Sequence, residues 1–546
     1  MLHRQQSATA SFPTREGVRM KKRSRACEEC HRLKIKCDLS TSPAGAACER
    51  CSRNAIECVP SAPRLQRDRI SELEAQVEQL TRTLRDHSIN TTPSRSPASP
   101  LEDHNGYILS FLDVRIPLGR QQDLLQLFTQ RAGTVWPVIR ITTDLDLIRQ
   151  KSPILLLSVL VYTVTHNAQG TELEVHDELV RHTVHILGEE VIGRGQRSLE
   201  LVQALLVAAF WNKTTRKGDQ GSCYQLIQLA ADMAIDIGIA GPSLQPSPVA
   251  FFGQHEDPTS SGARRTWLAC FVALASCSLS LRRPNTIPWN AHHQECLAVL
   301  ESIGEPSDVF LCQLVRIVQL IQDIHDQLFL CQIAMFLDGS DYATYAAMDT
   351  LKNRVDAWAA QIPPGLSSSQ TLKVWYHVAL IFIFEPILHT PTNKAAFVAP
   401  FLPGRISIKD FPKPANITFH LKLALEALVQ NCHGVINTVA EMDPSLVVNL
   451  PSFSFTPLVL YSLYVLVTAM VSATDPANTY GQCLARDSFH IEACGLKLRH
   501  LSASMRVVDP TFSCYTTRLI DATSWLEQWY SDYTAILQRY ESNIAS

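Results

Sequence analysis

Cys27-Glu28-Glu29-Cys30-His31-Arg32-Leu33-Lys34-Ile35-Lys36-Cys37 and, ten residues on, Cys48-Glu49-Arg50-Cys51-Ser52-Arg53-Asn54-Ala55-Ile56-Glu57-Cys58 repeat one spacing, C-x2-C-x6-C. In each copy the x2 pair lets two sulfurs reach one metal from a single turn. The x6 arm returns a third sulfur, which is how tetrahedral thiolate sites for zinc are assembled. Three sulfurs per copy leave each ion one ligand short. If two zinc ions are held, the coordination positions outnumber the six sulfurs by two, so two thiolates must bridge. The repeat points to its matching first members, Cys27 and Cys48. One zinc on four of the sulfurs, or a disulfide framework, would also use these cysteines. Residues 1–20 have no apolar core of the kind a signal peptide carries, and the chain reads as one from a reducing compartment, where disulfides are rare. The ten other cysteines lack CxxC spacing and read as small buried apolar residues.

Charge is distributed unevenly. Residues 1–67 hold fourteen Lys and Arg against six acids, a net of +8, so the remainder of a chain whose total is −3 carries −11. A basic head on an acidic body is the footprint of a polyanion-binding module, because each neutralised phosphate releases counterions. The run Arg19, Lys21, Lys22, Arg23 and Arg25, just ahead of the first cysteine, suits both phosphate contact and nuclear import.

The double cysteine repeat with its basic segment, Cys27 to Asp38 and then Cys48 to Cys58, resembles the fungal binuclear zinc cluster (Zn2Cys6) transcription regulators. The resemblance implies a short helix after each CxxC, the first entering the DNA major groove end-on. It also implies that a lysine four positions after the second ligand contacts the guanines of a CGG triplet. That position is Lys34, whose amine can donate to guanine O6 and N7. Arg32 and Lys36 lie on the same segment and suit phosphate contacts, which set register without reading sequence. The chain departs from the family pattern in two places. Leu33 stands where many members carry another basic residue, and Pro43 sits in the middle of the connecting loop rather than close to the fourth ligand.

Large apolar residues are few between Ala26 and Val59, so metal ligation must supply most of the head's folding free energy, on the order of 10 kcal/mol or more in small zinc domains. Beyond it, Ile70, Leu73, Val77, Leu80 and Leu84 recur at alternating steps of three and four with charged flanks, an a/d seam of little more than two heptads. Either a dimerising coil or an amphipathic helix docked on the body fits so short a seam. The family resemblance implies the coil, hence a homodimer on double-stranded DNA with paired CGG sites. Residues 87–106 turn to Ser, Thr and Pro, the composition of a flexible tether.

The remaining body repeats apolar residues at helical spacing, notably over 124–128, 154–162, 199–211, 224–237, 266–281, 309–337, 372–387, 417–439, 458–472 and 524–540, with sparse strand signals. An all-α fold follows. The apolar stretch 458–473 contains Ser462 and Thr468 and is shorter than the roughly 20 residues a bilayer span needs. No membrane partner is expected. The segment Ala263-Arg264-Arg265-Thr266-Trp267-Leu268-Ala269-Cys270-Phe271, continuing to Ser280-Leu281-Arg282-Arg283-Pro284-Asn285-Thr286-Ile287, resembles the middle homology region of the same family. That resemblance implies a helical regulatory domain that restrains activation until a metabolite or partner changes its state. Arg264, Arg265, Arg282 and Arg283 are either anion contacts in a ligand pocket or partners of acids at helix ends. His292, His293 and Cys296 form a local cluster that reads as packing rather than ligation. At the C-terminus Trp525, Leu526, Trp529, Tyr530, Tyr533, Ile536 and Leu537 recur at helical spacing, which favours core packing over a coactivator-docking segment.

The expected organisation is a disordered basic arm (1–19), a zinc-cluster DNA-binding domain (20–62), a linker with a short coil (63–86), a flexible linker (87–106) and a helical regulatory body (107–546). No G-x-S-x-G, H-E-x-x-H or P-loop pattern occurs, so no enzyme is expected. The leading function is a nuclear, sequence-specific regulator of RNA polymerase II genes, an activator of a metabolic or secondary-metabolite gene set that works with coactivators and a small-molecule effector. Two other readings use the same cysteines: a zinc-cluster regulator acting through protein contacts without specific DNA binding, and a metal-thiolate redox sensor.

Overall fold

A computed structural model describes residues 26–38, 47–59, 100–164, 171–211, 223–247, 255–338, 341–414, 416–451, 456–475, 481, 483–510, 512 and 514–545. The chain divides into two compact units, Met1–Ala98 and Ser99–Ser546. Among the described residues every regular element is a helix. The head holds α1 (Glu28–Arg32) and α2 (Glu49–Arg53). The residues of the expected arm, coil and most of the tether lie outside the described residues, and with them Lys21, Lys22, Arg23, Arg25, Ile70, Leu73, Val77, Leu80 and Leu84.

The body opens with α3 (Pro100–Arg115), α4 (Leu118–Val135), α5 (Leu145–Lys151), α6 (Pro153–Val164), α7 (Thr171–Gly188), α8 (Leu199–Phe210) and α9 (Cys223–Asp236). It continues through α10 (Ser261–Leu281), α11 (Ala291–Ile303), α12 (Pro306–Gln327), α13 (Tyr342–Ala360), α14 (Gln370–Phe384) and α15 (Phe419–Ala440). The last elements are α16 (Pro444–Val448), α17 (Thr456–Thr474), α18 (Ile491–Val508), α19 (Tyr515–Asp521) and α20 (Trp525–Ala545). Side-chain caps mark many of the starts. Ser198, Ser260, Ser369 and Thr418 each accept a hydrogen bond from the backbone N–H three residues on, satisfying one donor that the first turn leaves free.

The α10 helix is the buried axis of the body, with Trp267 and Phe271 fully enclosed. It packs against α8, α9, α11 and α12. From there α12, α14, α15 and α17 follow as successive neighbours, adding Trp375, Phe382 and Tyr461 to one continuous apolar core. Two helices, Gln370–Leu388 and Pro457–Thr474, have the length and composition to cross a membrane, but 83% and 89% of those windows are buried inside the body. Their apolarity is that of core helices. In α20, Leu526, Tyr533 and Leu537 are buried while Ile536 is exposed, so this amphipathic face is spent on packing.

Several boundaries differ from expectation. The first helix of the body starts at Pro100, where proline suits the first turn, and Ile108, Phe111 and Leu112 bury on one face. The helix expected over 309–337 stops at Gln327, where Phe329 turns left-handed (φ 53°). The Lys394 ammonium holds the turn that follows by donating to the carbonyls of Phe329, Gln332 and Met335 at 2.8, 3.1 and 2.5 Å. Pro386 ends the regular part of α14, which tightens into a 3-10 turn over Glu385–Leu388.

That 3-10 turn carries the most buried arginine–carboxylate pair among the described residues of the body. Glu385 accepts hydrogen bonds from Arg282, from the Tyr461 hydroxyl and from His389 Nε2 (2.8 Å). The Arg282 guanidinium also lies 4.7 Å from the Phe382 ring centre. Burial pushes the Glu385 pKa up, but the charge of Arg282 and the bonds from His389 and Tyr461 outweigh it and hold the carboxyl below its ordinary value. Arg282 is the left-handed cap of α10 (φ 52°), so the arginine that ends one core helix ties it to α14 and α17. Arg265 pairs with the fully buried Asp308, and Arg264 pairs with Glu295. Arg283 lies over the Tyr224 ring. These arginines are therefore structural partners rather than open anion contacts. His293 caps α11 in a capping box with Asn290, and His292 bonds the Ile239 carbonyl, so this histidine pair is packing as well.

Breaking the internal pair should cost far more than breaking a surface one. Arg282→Ala is expected to lower stability by about 3–5 kcal/mol because it strands a buried carboxylate. Arg499→Ala, whose pair with Glu527 is exposed, should change it by no more than about 1 kcal/mol. Denaturant unfolding followed by circular dichroism compares the two.

Candidate metal centre and nucleic-acid interface

The described residues of the head form no aliphatic interior. Its buried cluster among the described residues is Cys27, Cys30, Cys48 and Cys51, with Ala26, Cys37 and Cys58 packed against it. Each half is built the same way. Cys27 and Cys48 occupy the N-cap positions of α1 and α2, where Ser, Thr or Asp usually sit, and their sulfurs accept the N–H of Cys30 and Cys51. The third cysteine of each half then folds back, and the N–H groups of Cys27 and Cys48 donate to Cys37 Sγ and Cys58 Sγ at 3.4 and 3.3 Å. The halves are joined by Glu28 N–H to the Val59 carbonyl and by Glu49 N–H to the Asp38 carboxylate.

The return of the third cysteine requires a reversal, and both halves make it with a left-handed residue. Lys34 has φ 54° and Ala55 has φ 52°. Around each, the next N–H bonds back across the helix end, Ile35 to the Cys30 carbonyl and Ile56 to the Cys51 carbonyl. This is a helix-terminating turn in which glycine is usual, and a residue with a side chain gives up roughly 1–2 kcal/mol to adopt it.

Two groups of four sulfurs result: Cys27, Cys30, Cys37 and Cys48, and Cys27, Cys48, Cys51 and Cys58, each with all sulfurs within 4.8 Å of one another. The members common to both are Cys27 and Cys48, the pair expected to bridge. Zinc–sulfur bonds of about 2.3 Å place neighbouring sulfurs of a tetrahedron about 3.8 Å apart. Cys27 and Cys48 stand 3.8 Å apart, Cys27 and Cys51 3.7 Å, and Cys30 and Cys48 3.8 Å, so the spacing fits two tetrahedra sharing an edge. All six sulfurs are free thiols rather than disulfides. The N–H of Cys51 holds the Cys48 thiol below its ordinary pKa. Burial raises the Cys27 value, but the N–H of Cys30 and the neighbouring sulfurs bring it lower. Burial pushes Cys30 up to about 12.

Around this centre, Lys34 and Lys36 are exposed, and their side-chain amines make no hydrogen bond or ion pair among the described residues. Arg32 is exposed too, but it pairs with Glu29 across one turn of α1. Arg50, half-buried on α2, donates from Nη1 to Cys30 Sγ at 3.8 Å. In the sequence Arg50 is one positive charge of the basic head, and its place directly before a ligand cysteine is the signal that sets it apart.

Comparison with known proteins agrees with this geometry. Residues 25–68 match the fungal Zn(2)-Cys(6) binuclear cluster domain, and residues 150–360 match the fungal specific transcription factor domain. The chain is 28% identical to transcription factor pbcR of Emericella nidulans, over 55% of this chain and 47% of that protein. It is 22% identical to transcription factor opdL of Penicillium oxalicum, over 50% of this chain and 49% of that protein. The chain thus spans about half the length of these relatives. No solved structure matches it. A zinc-cluster head followed in the same chain by a fungal specific transcription factor domain is the pairing that defines the Zn2Cys6 fungal transcription factors, and this chain is similar to them in both parts. Its head is a domain that binds two zinc ions.

The shared-edge arrangement separates the cysteines by consequence. Cys27→Ser or Cys48→Ser should strip the protein of both ions, whereas Cys37→Ser, at a terminal position, should leave about one equivalent. Elemental analysis of the purified protein, in which the unaltered chain carries about two equivalents, reads the difference.

Proposed function

We propose that the protein is a nuclear, sequence-specific DNA-binding regulator of RNA polymerase II genes that reads CGG-type half-sites through its zinc-cluster head. The observation that carries this reading is the placement of Lys34. It sits on the left-handed turn at the end of α1, exposed and unpaired among the described residues, on a backbone held by cysteines on both sides. A side chain so presented can reach a base edge while the metal centre keeps its position rigid. Arg32 and Lys36 flank it and would contact phosphate. Arg32 can exchange Glu29 for a phosphate at little cost, because exposed ion pairs contribute about 0–1 kcal/mol. Lys21, Lys22, Arg23 and Arg25 would extend the contact along the backbone and supply nuclear import. Both relatives are named as transcription factors, which supports the same role here.

The seam Ile70, Leu73, Val77, Leu80 and Leu84 would pair two copies, so that a homodimer reads two half-sites. The body would set activity through coactivators and a small-molecule effector, with the outcome activation of a metabolic or secondary-metabolite gene set. A cleft of about 1220 Å³ lined by Phe128, Ile139, Thr142, Phe310 and Thr371, among others, is large enough for such an effector.

Lys34→Ala should reduce discrimination between CGG and mutated sites by about 1–3 kcal/mol while leaving salt-sensitive nonspecific binding nearly intact. Gel-shift titration against both DNAs measures this, and an equal fall on both would remove Lys34 from base reading. Sedimentation of the full chain with and without a paired site should give a dimer on DNA, and Leu73→Asp with Leu80→Asp should shift it to one copy per half-site.

A further inference from the structure

The two halves of the head repeat in backbone but not in the charge around their sulfurs. In the first half Glu29 precedes the second ligand, and in the second half Arg50 does. Arg50 crosses from α2 to the first half and places its guanidinium on Cys30 Sγ. The other two arginines of these helices do nothing similar. Arg32 and Arg53 have side chains 72% exposed and pair with a glutamate of their own helix, Glu29 and Glu49. Among the described residues no cation reaches Cys51 or Cys58 in the same manner.

Six thiolates on two divalent ions leave a net charge of about −2 concentrated in a small volume. An N–H donor carrying positive charge on one of those thiolates offsets that charge and fixes the direction of the sulfur lone pairs, and outer-shell donors of this kind change metal retention by about 10–100-fold. We propose that Arg50 is a positioning residue of the metal centre, holding the Cys30 thiolate so that the ion of the Cys27, Cys30, Cys37 and Cys48 group is retained. This rests on the two-zinc assignment of the head. It gives Arg50 a role distinct from phosphate contact, for which a basic side chain on this domain would otherwise be taken.

The test uses the full chain as wild type, Arg50→Gln, Arg50→Lys and Arg53→Gln. Zinc content before treatment checks the two-zinc assignment on its own, since a wild-type load of no more than one equivalent would fail that assignment whatever Arg50 does. Zinc release is then followed with a chromogenic chelator. Arg50→Gln should release one of its two equivalents roughly tenfold faster than wild type, Arg50→Lys should recover part of the loss, and Arg53→Gln should match wild type. In the cobalt-substituted protein, Arg50→Gln should move the sulfur-to-cobalt charge-transfer band to lower energy, because a thiolate without its donor is more electron-rich. Unchanged release and an unchanged band in Arg50→Gln, with the salt dependence of DNA binding reduced by about one phosphate, would make Arg50 a backbone contact and overturn the proposal. If Arg50→Gln cannot be loaded with metal, Arg50→Lys carries the same two outcomes: faster release with a moved band supports the role, and wild-type values of both overturn it.

Discussion

Sulfur coordination is the constraint from which the rest of the head follows. With four cysteines as the buried residues among those described, the head has too little apolar surface to offset the entropy of ordering its chain. The cysteines therefore serve at once as core, as helix caps and as ligands. Their positions force a reversal after each short helix, and the reversal sets which residue stands outermost. The exposed lysine at that reversal, Lys34, is thus located by the cysteine framework.

The body solves the opposite problem. It has an abundant apolar core and uses buried charge to specify how helices meet. Arg265 fixes the start of α10 to the start of α12 through Asp308, and Arg282 fixes the end of α10 to α14 and α17 through Glu385 and Tyr461. The paired arginines of the middle homology segment are therefore explained by helix registry. Ion pairs of this burial contribute little net stability compared with apolar substitutes, but they penalise any arrangement that separates the partners. A domain that changes state would do so as blocks of helices that keep these pairs intact.

Much of this was legible in the chain itself. Coordination arithmetic on the C-x2-C-x6-C repeat requires two shared thiolates, and the matching first members of the repeat, Cys27 and Cys48, are the two sulfurs common to both four-sulfur groups. Core helices such as Leu199–Phe210 and Cys223–Asp236 stood out through their apolar content. A more polar one, Ile491–Val508, does not stand out, since it buries a narrower stripe. Tyr342–Ala360 carries a stripe in Tyr345, Met348, Leu351, Val355 and Trp358 that its alanines and charges dilute. The contacts of Arg282 with Glu385 and of Arg50 with Cys30 join residues far apart in the chain, and no local pattern announces such pairs.

The matching left-handed turns at Lys34 and Ala55 carry one more implication. The two halves present nearly the same outline, yet one tip ends in a long cationic amine and the other in a methyl group. Turned end for end, the wedge would still fit the same hollow but would offer hydrocarbon where a donor is wanted. A head whose backbone repeats but whose two turns differ in charge has a built-in polarity, so that a surface meeting it would distinguish its two orientations.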